Sequence, residues 1–139
     1  MKHNCNLKGF TLIELLLVAV IISILSTIVV VNVLKQKPLA EKAKVDSDLA
    51  NIGTALNLYS LNNGNYPINE QGLKALMEKP SPVPPNWNGP YLENNPIDSW
   101  KNEYQYRFPG EHNKNKYDLW SMGPDGQNGT EDDIGNWAK

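Results

Sequence analysis

The sequence predicts an α+β protein, with one long N-terminal helix followed by a small head built on an antiparallel sheet. Three observations carry that prediction. Residues 15–34 contain no ionisable side chain, an apolar stretch long enough to be a single helix. Beyond it, Val45, Leu49, Ile52, Leu56 and Tyr59 recur at alternating steps of four and three, which places them on one helical face. Further on, Tyr104, Tyr106 and Phe108 alternate with Glu103, Gln105 and Arg107, the period of a half-buried antiparallel strand.

A chain of 139 residues has room for one modest domain and one segment of another kind. Its 20% charged residues and net charge of -2 look ordinary, but almost all the charge lies beyond residue 34. That asymmetry reads as a membrane anchor carrying a soluble body. Lys and Arg form no dense patch, so nucleic acid is not an expected partner. Cys5 is the single cysteine, which excludes an internal disulfide.

The first nine residues are polar and mildly basic. Lys2 and Lys8 precede the apolar run and favour a cytoplasmic N-terminus, although Lys35 and Lys37 weaken the bias. No small-residue cleavage site follows the run, which is also long for a secretory signal core. At roughly 20 residues it suits a bilayer span, and an uncleaved single-pass anchor would explain it. Glu14 disturbs that simple reading. A carboxylate at the centre of a membrane helix costs roughly 2.5–3.5 kcal/mol unless paired, and less near an end. It is either a helix-end group at the headgroup level or a carboxylate awaiting a positive partner.

The helix is expected to continue past residue 34 with a solvated surface of Glu41, Lys42, Lys44, Asp46 and Asp48. Pro38 should kink it without ending it. Asn62-Asn63-Gly64 is the stop signal. In the head, residues 70–79 read as a short helix burying Leu73, Leu76 and Met77, and a proline-rich loop occupies 80–90. Strands are expected at 103–108 and 116–121, separated by Pro109-Gly110-Glu111-His112-Asn113. Trp87, Trp100, Trp120 and Trp137 all lie in the head, where packing is their expected role.

Catalytic chemistry finds little support. His112 sits among polar turn residues without a nucleophile set around it, and His3 lies in the basic N-terminal stretch. The segment from Ser121 to Asp133 is of another kind: it gathers carboxylates, amides, a hydroxyl and glycines in one loop. Calcium takes six to eight such oxygens, backbone carbonyls included. Thr130 and Asn136 stand where an EF-hand counted from Asp125 needs glycine and glutamate, so this is not an EF-hand. By composition alone a solvated acidic turn explains the segment slightly better. A head of about 75 residues without a disulfide does gain from a metal clasp, since domains of that size often need a staple.

The run Lys8-Gly9-Phe10-Thr11-Leu12-Ile13-Glu14-Leu15 resembles the processing site of type IV prepilins and type II secretion pseudopilins. The likeness extends through Tyr66-Pro67, Glu70-Gln71-Gly72-Leu73, Gly89-Pro90-Tyr91-Leu92 and the final aspartate loop, which resemble the major pseudopilin family. That resemblance implies a type IV pilin-like fold, the long helix packed on the sheet. It divides the chain into a leader (1–9), a transmembrane and filament-core helix (10–34), its amphipathic continuation (35–62) and a periplasmic head (63–139). It also implies cleavage by a prepilin peptidase between Gly9 and Phe10, with methylation of the new amine. Glu14 would then pair with the Phe10 amine of a neighbouring subunit in a helical homopolymer.

By the same resemblance the loop binds calcium. Asp125, Asp132 and Asp133 would be side-chain ligands, Met122 and Gln127 would give backbone oxygens, and Thr130 a backbone or hydroxyl oxygen. The implied partners are the inner membrane, minor pseudopilins and the inner-membrane assembly platform. The chain departs from the family at Ser23 and Val31, which replace a usual glycine and proline. Ser23, Ser26 and Thr27 are expected to bond back to carbonyls. Asp98-Ser99-Trp100 replaces Asp-Pro-Trp and is expected to change only a turn. Three alternatives are a type IV pilin, which would want a C-terminal disulfide, a minor pseudopilin, and a membrane-anchored periplasmic calcium-binding protein.

Overall fold

A threonine opens the long helix and a glycine closes it. The computed structural model describes residues 9–137, apart from the side chains of 27–35. The leader reading of 1–9 therefore lies outside the described residues except at Gly9, and so do the side chains of the β-branched run from Thr27. Helix α1 spans Leu12–Asn63, 52 residues, and passes Pro38 without a break. It ends where Gly64 takes φ +81° and donates its N–H to Ser60 O at 2.8 Å. Only glycine adopts that left-handed geometry at no steric cost, so the stop is written into the sequence.

The chain divides into two compact units, Met1–Leu39 and Ala40–Lys139. In the first, Phe10, Leu12, Ile13 and Leu15 through Leu25 leave their large apolar side chains exposed. Ser23 Oγ donates to Ala19 O at 2.8 Å and Ser26 Oγ to Ile22 O at 2.7 Å, as expected of hydroxyls inside an apolar helix. Among the described residues no helix is long and apolar enough to cross a membrane. The expected span 10–34 runs into residues 27–35, whose side chains are outside the described set.

In the second unit the predicted stripe is the core. Val45, Leu49, Ile52, Leu56 and Tyr59 are all buried, joined by Ala55. They pack with Leu73, Ala75, Leu76, Tyr104, Tyr117 and Leu119. The sheet has three antiparallel strands in the order β1 (Gln105–Arg107), β2 (Asp118–Ser121) and β3 (Ile134–Gly135). Tyr106 faces Leu119 across β1 and β2, and Ser121 faces Ile134 across β2 and β3.

Three expectations change in detail. The short helix shrinks to a 3₁₀ turn at Gly72–Leu76, which buries Ala75 and leaves Met77 half-exposed. With three residues per turn, Leu73 and Leu76 share one face and the buried side closes there. Both strands are shorter than the alternating pattern, with Glu103 reduced to an isolated bridge to Ile97. Strand β3 has no counterpart in the sequence reading, because two residues carry no period. The four tryptophans are all half-buried.

Candidate functional site

Two places carry the residues singled out by the sequence. At the start of α1, Glu14 N donates to Thr11 Oγ1 at 3.3 Å, while Glu14 Oε2 accepts from Thr11 N at 3.0 Å and from Thr11 Oγ1 at 3.1 Å. This is a capping box, in which threonine and glutamate each satisfy a backbone N–H of the other. Within the chain, Glu14 is thus held as a cap, and Phe10 stands beside it 80% exposed. Gly9 precedes the helix in irregular backbone, and among the described residues a Cβ built there would meet nothing within 4 Å.

The second place is the loop between β2 and β3. Its turns rest on Gly123, Gly126 and Gly129, all with positive φ. Gly123 is also held in close approach: a Cβ there would stand 2.5 Å from Asp132 O and 2.6 Å from Asp132 Oδ2. Asp125 Oδ1 accepts from Gln127 N at 2.8 Å, and Asp132 Oδ2 accepts from Asp125 N at 3.2 Å. The Thr130 hydroxyl reaches both Asp132 Oδ1, at 2.5 Å, and Gln127 O, at 3.2 Å. That hydroxyl first, and the Asp125 amide next, hold the Asp132 carboxyl below its ordinary pKa.

Asp125, Gln127, Thr130 and Asp132 are therefore linked to one another by hydrogen bonds, with Met122 at the loop's entry. Asp133 takes another direction. Its Oδ2 accepts from Gly129 N at 2.8 Å, and it borders a cavity of about 240 Å³ with His112, Asp118, Trp120 and Trp137. Among the described residues no three acidic or histidine side chains converge as a ready metal cluster. The donors nevertheless suit the hard cation that the resemblance implies. All are oxygens, which is the donor set calcium takes, and on the neighbouring Asp133 the buried Oδ1 has no hydrogen-bond partner among the described residues. Asp125, Asp132 and Thr130 would hold calcium with nearby carbonyls, Asp133 joining them only by leaving the Gly129 amide, and calcium would supply a cross-link between the two ends of the loop.

The sequence reading missed the turn that supports this loop. Asp98, only 3% exposed, accepts from Trp100 N at 2.9 Å and Asn102 N at 2.8 Å through Oδ1. Its Oδ2 accepts from Ser121 Oγ at 2.6 Å. Ser99 Oγ donates to Glu41 O at 3.0 Å, so serine in place of the usual proline ties the turn to α1. The available signal was Asp98 itself, a lone carboxylate just before a strand. His112, read as a solvated turn residue, is exposed; its amide and ring Nδ1 face the Asp118 carboxylate, and its ring stacks on Trp137 at 4.1 Å.

Comparison with known proteins converges on one family. The family described as "Type II secretion system (T2SS), protein G" matches residues 32–137, and "Prokaryotic N-terminal methylation motif" matches residues 5–30. The chain is 46% identical over 133 residues to the type II secretion system core protein G of Pectobacterium carotovorum, covering 94% of this chain and 84% of that protein. It is likewise 46% identical over 141 residues to the core protein G of Escherichia coli K12, covering 99% and 96%. The crystal structure of the major pseudopilin from the type 2 secretion system of enterohaemorrhagic Escherichia coli superposes with a TM-score of 0.68. That match has 44% identity and covers 76% of this chain and 94% of the other. The methylation motif contains Gly9, Phe10 and Glu14, and the protein G match takes in the whole aspartate loop: this chain belongs to the protein G family of type II secretion systems, the major pseudopilins.

Proposed function

We propose that this chain is the structural subunit of a periplasmic pseudopilus, polymerising to drive folded proteins across the outer membrane. It is not an enzyme. Exposure of the apolar side chains between residues 10 and 25, around a single carboxylate, is the observation that carries the reading. So much apolar surface calls for lipid or for the same segment of other subunits. Before assembly the segment is a single-pass anchor in the inner membrane, N-terminus in the cytoplasm and head in the periplasm. A prepilin peptidase cuts between Gly9 and Phe10 and methylates the new amine. Glu14 then exchanges its cap for the Phe10 amine of a neighbour, and both charges are paired in an apolar core. A head-to-tail contact of this kind does not close on itself and so builds a helix. Minor pseudopilins and the inner-membrane platform are the assembly partners. Calcium, held by Asp125, Asp132 and Asp133 with oxygens of Met122, Gln127 and Thr130, clasps the head.

Co-expression with a prepilin peptidase tests the first step. Wild type should shift to a faster-migrating mature form and yield filaments by electron microscopy, whereas Gly9→Leu should keep the precursor's mobility. A Gly9→Leu chain that still matures, or wild type that matures without filaments in the complete secretion system, would overturn the reading.

A further inference from the structure

The Gly123 peptide is gripped from outside its own loop. Its N–H donates to Ser121 Oγ at 3.1 Å, and that hydroxyl donates in turn to Asp98 Oδ2 at 2.6 Å. Its carbonyl accepts from Asn102 Nδ2 at 3.4 Å. Both polar groups of Gly123 thus lead to the turn at residues 98–102, which is closed by Asp98 N donating to Asn102 O at 2.9 Å. Gly123 is the residue against which Asp132 packs, too closely for any side chain to intervene. The far side of the turn is anchored on α1, by Ser99 Oγ to Glu41 O at 3.0 Å and by Lys44 Nζ to Ile97 O at 2.8 Å.

From this geometry we infer that Asp98 and Asn102 are positioning residues for the cation loop: they fix the Gly123 peptide, which in turn fixes Asp132. The inference rests on the calcium reading above. Asp98 touches no loop carboxylate and acts through Ser121. It is 3% exposed and Ser121 is fully buried, so neither exchanges partners with water. Both oxygens of Asp98 are engaged, Oδ1 inside the turn and Oδ2 across to β2. A carboxylate shared in this way holds two segments at one distance, as outer-shell partners of metal ligands do.

Two measurements on the full chain in detergent test this, with Asn102→Ala, Asp98→Asn and wild type compared. Asn102→Ala removes one bond from a half-buried side chain and leaves the core intact. Asp98→Asn keeps the acceptor for the turn amides and alters only the Ser121 link. In calcium-free protein, amide exchange at Gly123 and Asp125 should quicken in both variants while the amide of Leu119 in β2 stays slow. In calorimetric titration with calcium, affinity should fall about 10–100-fold, the usual loss for an outer-shell partner. Unchanged exchange and unchanged affinity would overturn the positioning role and leave the calcium reading intact. Wild type that binds no calcium would overturn the calcium reading and the positioning role with it, even if the exchange rates rise.

Discussion

Thr11 and Glu14 satisfy each other at the start of α1, with Glu14 Oε2 accepting from Thr11 N at 3.0 Å and Thr11 Oγ1 accepting from Glu14 N at 3.3 Å. One carboxylate thus serves the isolated chain as a cap and, on the proposed function, the filament as a counter-ion. The two roles separate by mutation. Thr11→Ala loses only the cap, worth about 1 kcal/mol, and should still give filaments. Glu14→Ala should insert and mature but fail to polymerise, since a buried pair that loses one partner forfeits about 3–5 kcal/mol. Filament yield by shearing and immunoblot is the measurement. Normal filaments from Glu14→Ala would show that amine pairing is not required.

The aspartate loop predicts a calcium-dependent head. Thermal unfolding of the full chain should rise with excess calcium; at a hundred times the dissociation constant, linkage amounts to about 2.7 kcal/mol. Asp125→Ala should remove that rise and leave the melting temperature in chelator nearly unchanged. Equal loss with and without calcium would assign Asp125 to local packing, through its bond to Gln127 N.

Asp118 predicts acid sensitivity. Its buried carboxylate accepts N–H bonds from Glu111 at 2.7 Å, His112 at 2.8 Å and Asn113 at 2.9 Å. Burial raises its pKa, but these donors outweigh burial and the net shift is downward. A depressed folded pKa means stability fully present above the unfolded value, about 3.9, and lost as pH falls through the folded one. Between pH 5 and 2, Asp118→Asn should therefore lose less stability than wild type. Parallel acid-unfolding curves for the two would contradict this assignment.

Leu56 tests the core. It is fully buried on the α1 stripe, so Leu56→Ala should cost about 2–5 kcal/mol in chemical unfolding. Leu61, 80% exposed on the same helix, should cost far less when changed to alanine. Similar losses at the two positions would contradict the observed face.

The sequence by itself determined α1 and its buried face. Helical period is a local property, and each of Val45, Leu49, Ile52, Leu56 and Tyr59 is where the spacing placed it. The stop at Gly64 is equally local, because the left-handed conformation belongs to glycine. The N-terminal methylation motif was also legible, in a short ordered set of residues from Gly9 to Glu14. Tertiary structure alone decided the rest. Strand β3 exists only because β2 offers it an edge, and its two residues carry no period of their own. Adjacent aspartates 132 and 133 look equivalent on paper, yet one turns to Thr130 and the other to Gly129. Asp98 meets Ser121 across 23 residues. A contact at that separation follows from how the helix, turn and sheet pack, and no local pattern of side chains encodes it.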